Sequence, residues 1–194
     1  REGPFLLQML GRAPGNRVLD LACGTGLHAN FLAENGAEVF ACDVSEEMIA
    51  HARLKRFHSR IEYAVRDMRD APDETFDLGL SLGHSLSLHE SPQDLETPFV
   101  NVSDALSTGG LFVVQGLNYA LPGNRKDRFR IEDETIDGDR VVAVKCLTPK
   151  GTRTYLTLSY FVRNGEETDA ISEAAVQRNL TLEESVAAAE QAAQ

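Results

Sequence analysis

Three carboxylates stand out for their surroundings. Asp20 lies inside the run Val18-Leu19-Asp20-Leu21-Ala22-Cys23-Gly24-Thr25-Gly26, Asp43 follows the apolar run Glu38 to Cys42, and Asp67 follows Ile61 to Val65. The first run reads as a buried strand that ends in a Gly-rich turn and opens a helix. Glycines there let a ligand approach the backbone with no Cβ in the way, and the helix start offers unpaired N–H groups. A carboxylate at the end of the next strand can accept two hydrogen bonds from the vicinal hydroxyls of a ribose. This much fits any nucleoside-bearing cofactor, and Gly24-Thr25-Gly26-Leu27-His28-Ala29 also matches the dinucleotide pattern G-x-G-x-x-A, a weak signal alone. Two features separate the alternatives. Asp20, just before the turn, would repel a pyrophosphate but suits a cationic ammonium. Asp67 can accept from the exocyclic amine of adenine, with Met68 near the ring.

These residues need strands to carry them. Arg17 to Ala22, Glu38 to Cys42, Ile61 to Val65, Phe76 to Leu82 and Leu111 to Leu117 read as five strands, the last opened by a turn at Gly109-Gly110. Leu27 to Asn35 reads as a helix. A second helix follows Ser45 as N-cap and runs to Phe57, with Glu46 and Glu47 in its first turn. A third covers Pro92 to Leu106, where Pro98 can kink or split it. Strands alternating with helices imply a parallel sheet covered on both faces, and near-continuous apolar strands agree. His84 falls at the end of the fourth strand, where sheet ligands bind. His28 is expected to be structural.

The pattern changes after Tyr119. Asp137-Gly138, Asn164-Gly165 and Pro149-Lys150-Gly151 are turn signals, and the segments between them are rich in β-branched and aromatic residues. An antiparallel meander of three or four strands is expected over residues 128–179. Thr181 with Glu184 then forms a capping box for a closing helix. The organisation expected is one domain over residues 1–194: a core at 1–119, a β insertion at 120–180 and a helix at 181–194.

The chain has 194 residues and a formal net charge of −11. An acidic chain repels the phosphate backbone, which argues against nucleic acid as partner. Arg53, Lys55, Arg56 and Arg60 come closest to a basic patch and read as the solvated face of a helix. Cys23, Cys42 and Cys146 form no CxxC pair, so no metal site is expected; this usage fits a reducing cytoplasm. No apolar run approaches a membrane span, and no signal peptide is visible in a chain that starts at Arg1.

Taken together, VLDLACGTG, Asp43 and Arg66-Asp67-Met68 resemble the successive motifs of class I S-adenosylmethionine-dependent methyltransferases, over about Val18 to Tyr119. Leu82-Gly83-His84-Ser85, Asn118-Tyr119 and the inserted meander are similar to the small-molecule, glycine N-methyltransferase-like group, which often has Asn where His84 stands. The resemblance implies a Rossmann-like, doubly wound, mostly parallel α/β sheet. It implies seven strands, of which the last two are missing here, as is most of an N-terminal helical cap. It also implies S-adenosyl-L-methionine as cofactor. Asp20 and the turn Gly24, Thr25 and Gly26 would hold its methionyl part, Asp43 the ribose and Asp67 the adenine, with Ala22, Val44, Met48, Met68 and Leu82 as further contacts. His84 and Tyr119 are the candidate catalytic residues toward a small-molecule acceptor, an amine or amino-acid-like nitrogen. The meander is expected to shape the acceptor pocket, through Arg128 or Arg130, or to make a homodimer contact. A cofactor-binding regulatory protein without turnover and an NAD-linked oxidoreductase are the alternatives.

Overall fold

The computed structural model describes residues 2–70, 72–89, 91–136 and 138–193. Contacts divide the chain into two compact units: Arg1–Leu86, Ser91–Gly116 and Ser185–Gln194 form one, and Ser87–Glu90 and Leu117–Glu184 the other.

The first unit carries five parallel strands, β1 (Arg17–Leu21), β2 (Glu38–Asp43), β3 (Ile61–Val65), β4 (Phe76–Ser81) and β5 (Leu106–Val114), in the order β3-β2-β1-β4-β5. The order reverses beside β1, and in such sheets ligands bind outside the carboxyl ends at that switch point. Around the strands run α1 (Gly3–Leu10), α2 (Leu27–Glu34), α3 (Glu46–Lys55) and α4 (Pro92–Ala105). One apolar cluster packs Val18, Val39, Leu78 and Leu80 with Leu6, Leu32 and Ile49; another packs Leu19, Leu21, Phe40 and Phe76 with Val102. Alternate residues of β1 thus feed opposite faces, as period-two side chains must. That is why its run reads as continuously apolar.

One expectation is corrected here, at Gly109-Gly110, and two details are added. The opening residues form α1, with Leu6 fully buried; its short GPFLLQML sequence begins with a glycine and a proline, which mask the periodicity. Gly109-Gly110 is not a turn that precedes β5 but lies within it. Phe76 pairs with Leu106 and Leu78 with Leu111, so two steps on β4 face five on β5. Gly109 at φ 81° supplies the left-handed residue that such an excursion needs. Pro98 does not split α4, which runs through it.

The second unit holds a four-stranded antiparallel meander, β6 (Arg128–Ile136), β7 (Asp139–Lys150), β8 (Arg153–Asn164) and β9 (Glu167–Arg178). Its turns lie slightly off the positions read from sequence. Lys150 pairs with Arg153 and Asn164 with Glu167, so the two-residue loops are Gly151-Thr152 and Gly165-Glu166. In both, glycine takes the first loop position at positive φ. Pro149 sits in β7 beyond the last residue paired with β6, where its missing N–H leaves no ladder bond unmade. Asp137 of the expected Asp137-Gly138 turn lies outside the described residues. Thr181 and Glu184 form the expected capping box at the start of α5 (Leu182–Ala192), with Thr181 Oγ1 accepting from the Glu184 N–H at 3.1 Å and Glu184 accepting from the Thr181 N–H at 2.9 Å. Among the described residues no helix is long and apolar enough to cross a membrane.

Candidate cofactor site at the carboxyl edge of the parallel sheet

Asp20 stands on β1 between Ala41 of β2 and Leu80 of β4. It is 2% exposed, and its Oδ2 has no hydrogen-bond partner among the described residues. Burial pushes its carboxyl up to about 7; the positive charge of His28 works against that shift and the carboxylate of Asp43 reinforces it. A half-satisfied carboxylate at this depth is costly unless a cation or donor completes it. The orphaned oxygen therefore fits an ammonium group.

Beyond β1 the chain turns through Ala22 (φ 54°), Gly24 (φ 54°) and Gly26 (φ 76°). Ala22 pays a steric cost for this conformation that glycine would not. A Cβ on Gly24 would meet nothing within 4 Å, so the face it presents is open; one on Gly26 would fall 2.5 Å from the Tyr63 hydroxyl. Asp43 ties the turn to β2: its Oδ2 accepts from the Gly24 N–H at 2.9 Å and its Oδ1 from the Ser45 N–H at 3.0 Å. Ser45 in turn caps α3 by accepting from the Met48 N–H. Each carboxylate oxygen has a second lone pair left for a ligand. Val44 and Met48 are exposed to 65% and 44%, an apolar rim to this edge. Leu82 is buried in the first apolar cluster, and Met68 packs against the second.

Asp67 accepts from the Arg69 N–H, Nε and Nη2 at 2.9, 3.0 and 2.6 Å. Arg69 is a partner that sequence reading missed. Gly83 and His84 both take positive φ, 71° and 72°, just past β4. The Gly83 N–H donates to Gln115 Oε1, and the His84 N–H to the Gln115 carbonyl. Gln115 Nε2 and His28 Nε2 both engage Glu2, at 2.8 and 3.0 Å. Glu2 and Gln115 had no signal in the sequence, because their contacts join residues far apart in the chain.

Of the basic residues near α3, Arg53, Lys55 and Arg60 are exposed, in keeping with a solvated face, and Arg56 is half-buried. Arg53, Arg56 and Arg60 donate to the main-chain carbonyls of Tyr63, Thr25 and Gly36. Tyr119 lies in the second unit, where it is buried and its carbonyl accepts from Arg125 Nε. With Arg125, Gly151, Thr152 and Glu183 it lines a cavity of about 660 Å³.

Residues 18–110 match the family model described as a methyltransferase domain. YqeM of Bacillus subtilis (strain 168), named only as a methyltransferase, is 31% identical over 175 residues, 87% of this chain and 69% of YqeM. The glycine N-methyltransferase of Oryctolagus cuniculus is 29% identical over 185 residues, and the chain spans 61% of its length. The solved structure of Streptomyces venezuelae DesVI shares the fold with a TM-score of 0.87 at 23% identity, covering 98% of this chain and 81% of DesVI. That of CalS10, an amino pentose methyltransferase from Micromonospora echinaspora bound to S-adenosylmethionine, does so with a TM-score of 0.83 at 22% identity and the same coverage. The motif residues at the ends of β1, β2 and β3, the strand order around them and these relatives agree, and the chain belongs to the class I S-adenosylmethionine-dependent methyltransferases.

Proposed function

We propose that this protein methylates a small-molecule amine, of amino-acid-like character, at the carboxyl edge of its parallel sheet. The buried, half-satisfied carboxylate of Asp20 carries the reading, because it asks for the cationic ammonium that S-adenosylmethionine has and a dinucleotide lacks. Asp20 and the open turn Gly24–Gly26 would hold the methionyl part, Asp43 the ribose, and Asp67 with Met68 the adenine. When bound, the cofactor supplies a methyl group already activated by a sulfonium. The chain's part is to hold the acceptor nitrogen in line with it, and such positioning is worth about 7–11 kcal/mol at best. An amine must also be deprotonated to react, and His84, held at the end of β4, is the residue proposed to take or orient that proton. Calorimetry with S-adenosylhomocysteine and with NAD tests the cofactor half directly. Binding of NAD in place of S-adenosylhomocysteine would refute it.

Asp67 bears on base recognition. Both its oxygens are oriented by Arg69, so the carboxylate is preorganised to accept from an exocyclic amine. Asp67→Asn is expected to keep the fold and to cut the preference for adenosine over inosine analogues about tenfold, the worth of one charge-assisted bond. Competition binding measures it; equal losses for both analogues would make Asp67 structural.

The glycine N-methyltransferase relatives and the amino pentose neighbour support an amine acceptor. Within the second unit, Arg128 favours one that carries a carboxylate. Its Nη1 donates to Asn124 Oδ1 at 3.0 Å, while Nε and Nη2 are buried with no hydrogen-bond partner among the described residues. A guanidinium in that state calls for a counter-anion, and its fork matches a carboxylate. Arg130 lacks this character: it is exposed and pairs with Glu132 at 2.6 Å. Arg128→Ala is expected to raise the acceptor KM by about tenfold or more while leaving cofactor affinity alone. Steady-state kinetics on a panel of amino acids and amines checks this, and a loss of cofactor binding in the folded variant would sink it.

A further inference from the structure

The turn that would hold the methionyl group is clamped from two sides, and only one clamp belongs to a recognised motif. Asp43 holds the Gly24 N–H. On the other side Arg56, the C-cap residue of α3, donates from Nη1 to the Thr25 carbonyl at 2.9 Å. Arg56 is itself fixed: its N–H donates to the Ala52 carbonyl at 2.8 Å, and its own carbonyl accepts from the Tyr63 hydroxyl at 3.1 Å. Tyr63 is 7% exposed on β3, and its hydroxyl and ring edge lie under Gly26, where a Cβ would collide. Burial pushes its phenol up to about 12, so it stays a donor. The other end of α3 begins at Ser45, which Asp43 holds through the Ser45 N–H. One ten-residue helix is therefore fastened to the cofactor edge at both ends, through Asp43 and through Thr25.

Among the described residues the Thr25 carbonyl has no backbone partner; it sits between left-handed Gly24 and Gly26 at the mouth of α2. The turn is closed by the Gly26 N–H on the Cys23 carbonyl at 3.0 Å, and an ionised donor on the Thr25 carbonyl, in the same peptide unit as that N–H, adds a second hold on how this peptide is tilted. We propose that Arg56 is a positioning residue for the methionyl end of S-adenosylmethionine, acting through the Thr25 carbonyl, with the Tyr63 hydroxyl setting the arginine. This rests on the cofactor reading above and goes beyond it, since Arg56 belongs to none of the residues assigned to the cofactor.

The test compares two nucleosides on the purified full chain. S-adenosylhomocysteine carries the amino-acid end; 5′-methylthioadenosine has the same adenosine and lacks it. Arg56→Met keeps the apolar stem and removes the donor, and it is expected to weaken S-adenosylhomocysteine about tenfold in calorimetry while leaving 5′-methylthioadenosine unchanged. Arg56→Lys restores a charged donor and is expected to recover affinity to within about threefold of the parent. Tyr63→Phe keeps the ring under Gly26 and is expected to give a weaker loss with the same selectivity. Equal weakening of both nucleosides, or of neither, would overturn the proposal, because a general loosening of the fold does not distinguish the two ends of the ligand. If Arg56→Met does not fold, Tyr63→Phe decides by the same comparison. A parent protein that binds neither nucleoside would overturn the cofactor reading itself and this proposal with it.

Discussion

Replacing Asp43 by alanine is expected to weaken S-adenosylhomocysteine binding by about 2–4 kcal/mol, roughly 30- to 800-fold. Two charge-assisted hydrogen bonds to a ribose diol, each worth roughly 1.5–3 kcal/mol and not fully additive, would set that range from sequence reasoning alone. The structure raises the stakes. The same carboxylate holds the Gly24 N–H at 2.9 Å and the Ser45 N–H at 3.0 Å, so its loss also frees the methionyl turn and the start of α3. Asn at this position is expected to be nearly as damaging. Its single carbonyl oxygen can serve one of those two N–H donors, and its NH₂ would face the other. Calorimetry on both variants, with thermal unfolding to confirm that they fold, checks this. Parent-like affinity in Asp43→Ala would end the ribose assignment.

Cofactor binding is also expected to weaken steeply below neutral pH, and Asp20 is the reason. Its folded value is raised from 3.8 to about 7, chiefly by burial, with His28 pulling the other way. A carboxyl raised in this way is held protonated by the fold, so the empty protein loses stability as pH climbs from about 3.8 toward about 7. A ligand whose ammonium needs the carboxylate anion has the opposite slope. Its affinity rises with pH through that window, by up to about tenfold per unit, and levels off above about 7. Between pH of about 5 and about 7 the change is about fiftyfold. Near pH of about 6 binding should release most of one proton, visible as a dependence of the measured heat on the buffer's ionisation enthalpy. Asp20→Asn is expected to flatten the profile at low affinity. An unchanged affinity across the window, or a profile that Asp20→Asn leaves intact, would show that the ammonium does not rest on this carboxylate.

Much of the first unit was legible because local rules and the tertiary environment agree there. Buried parallel strands are apolar on both faces, so Val18 to Leu21 and Phe76 to Ser81 read as strands without knowledge of their neighbours. Ser45 caps α3 through a contact three residues long, and Thr181 caps α5 the same way. Gly24 and Gly26 read as places where a ligand can approach the backbone with no Cβ in the way; that both also take positive φ is a finding of the fold. The misses have a common cause as well. Gly109-Gly110 looks like a turn by composition, yet pairing with β4 resumes beyond it and makes it part of β5. Pro149 looks like a turn residue and sits in a strand, because β6 has already ended beside it.

By itself the sequence determined which residue types stand at the carboxyl ends of β1, β2 and β3, and from them a nucleoside bearing a cation is the ligand proposed there. Spacing along a strand decides that much, since strand ends and Gly turns are local. Only the tertiary structure decided how those residues are held. Arg56 lies 31 positions from Thr25 in the chain, and its reach to that carbonyl exists because α3 packs back along β2 and β3. Arg53 and Arg60 keep the solvent exposure read for them and in addition donate to main-chain carbonyls. Arg128 and Arg130, two residues apart on one strand, read alike as sequence; in the fold one guanidinium has buried nitrogens that lack an acceptor, while the other pairs with Glu132 at the surface. A charged side chain carries the same free energy on paper wherever it is written, but burial removes its water. What replaces that water is settled by groups brought together across the chain.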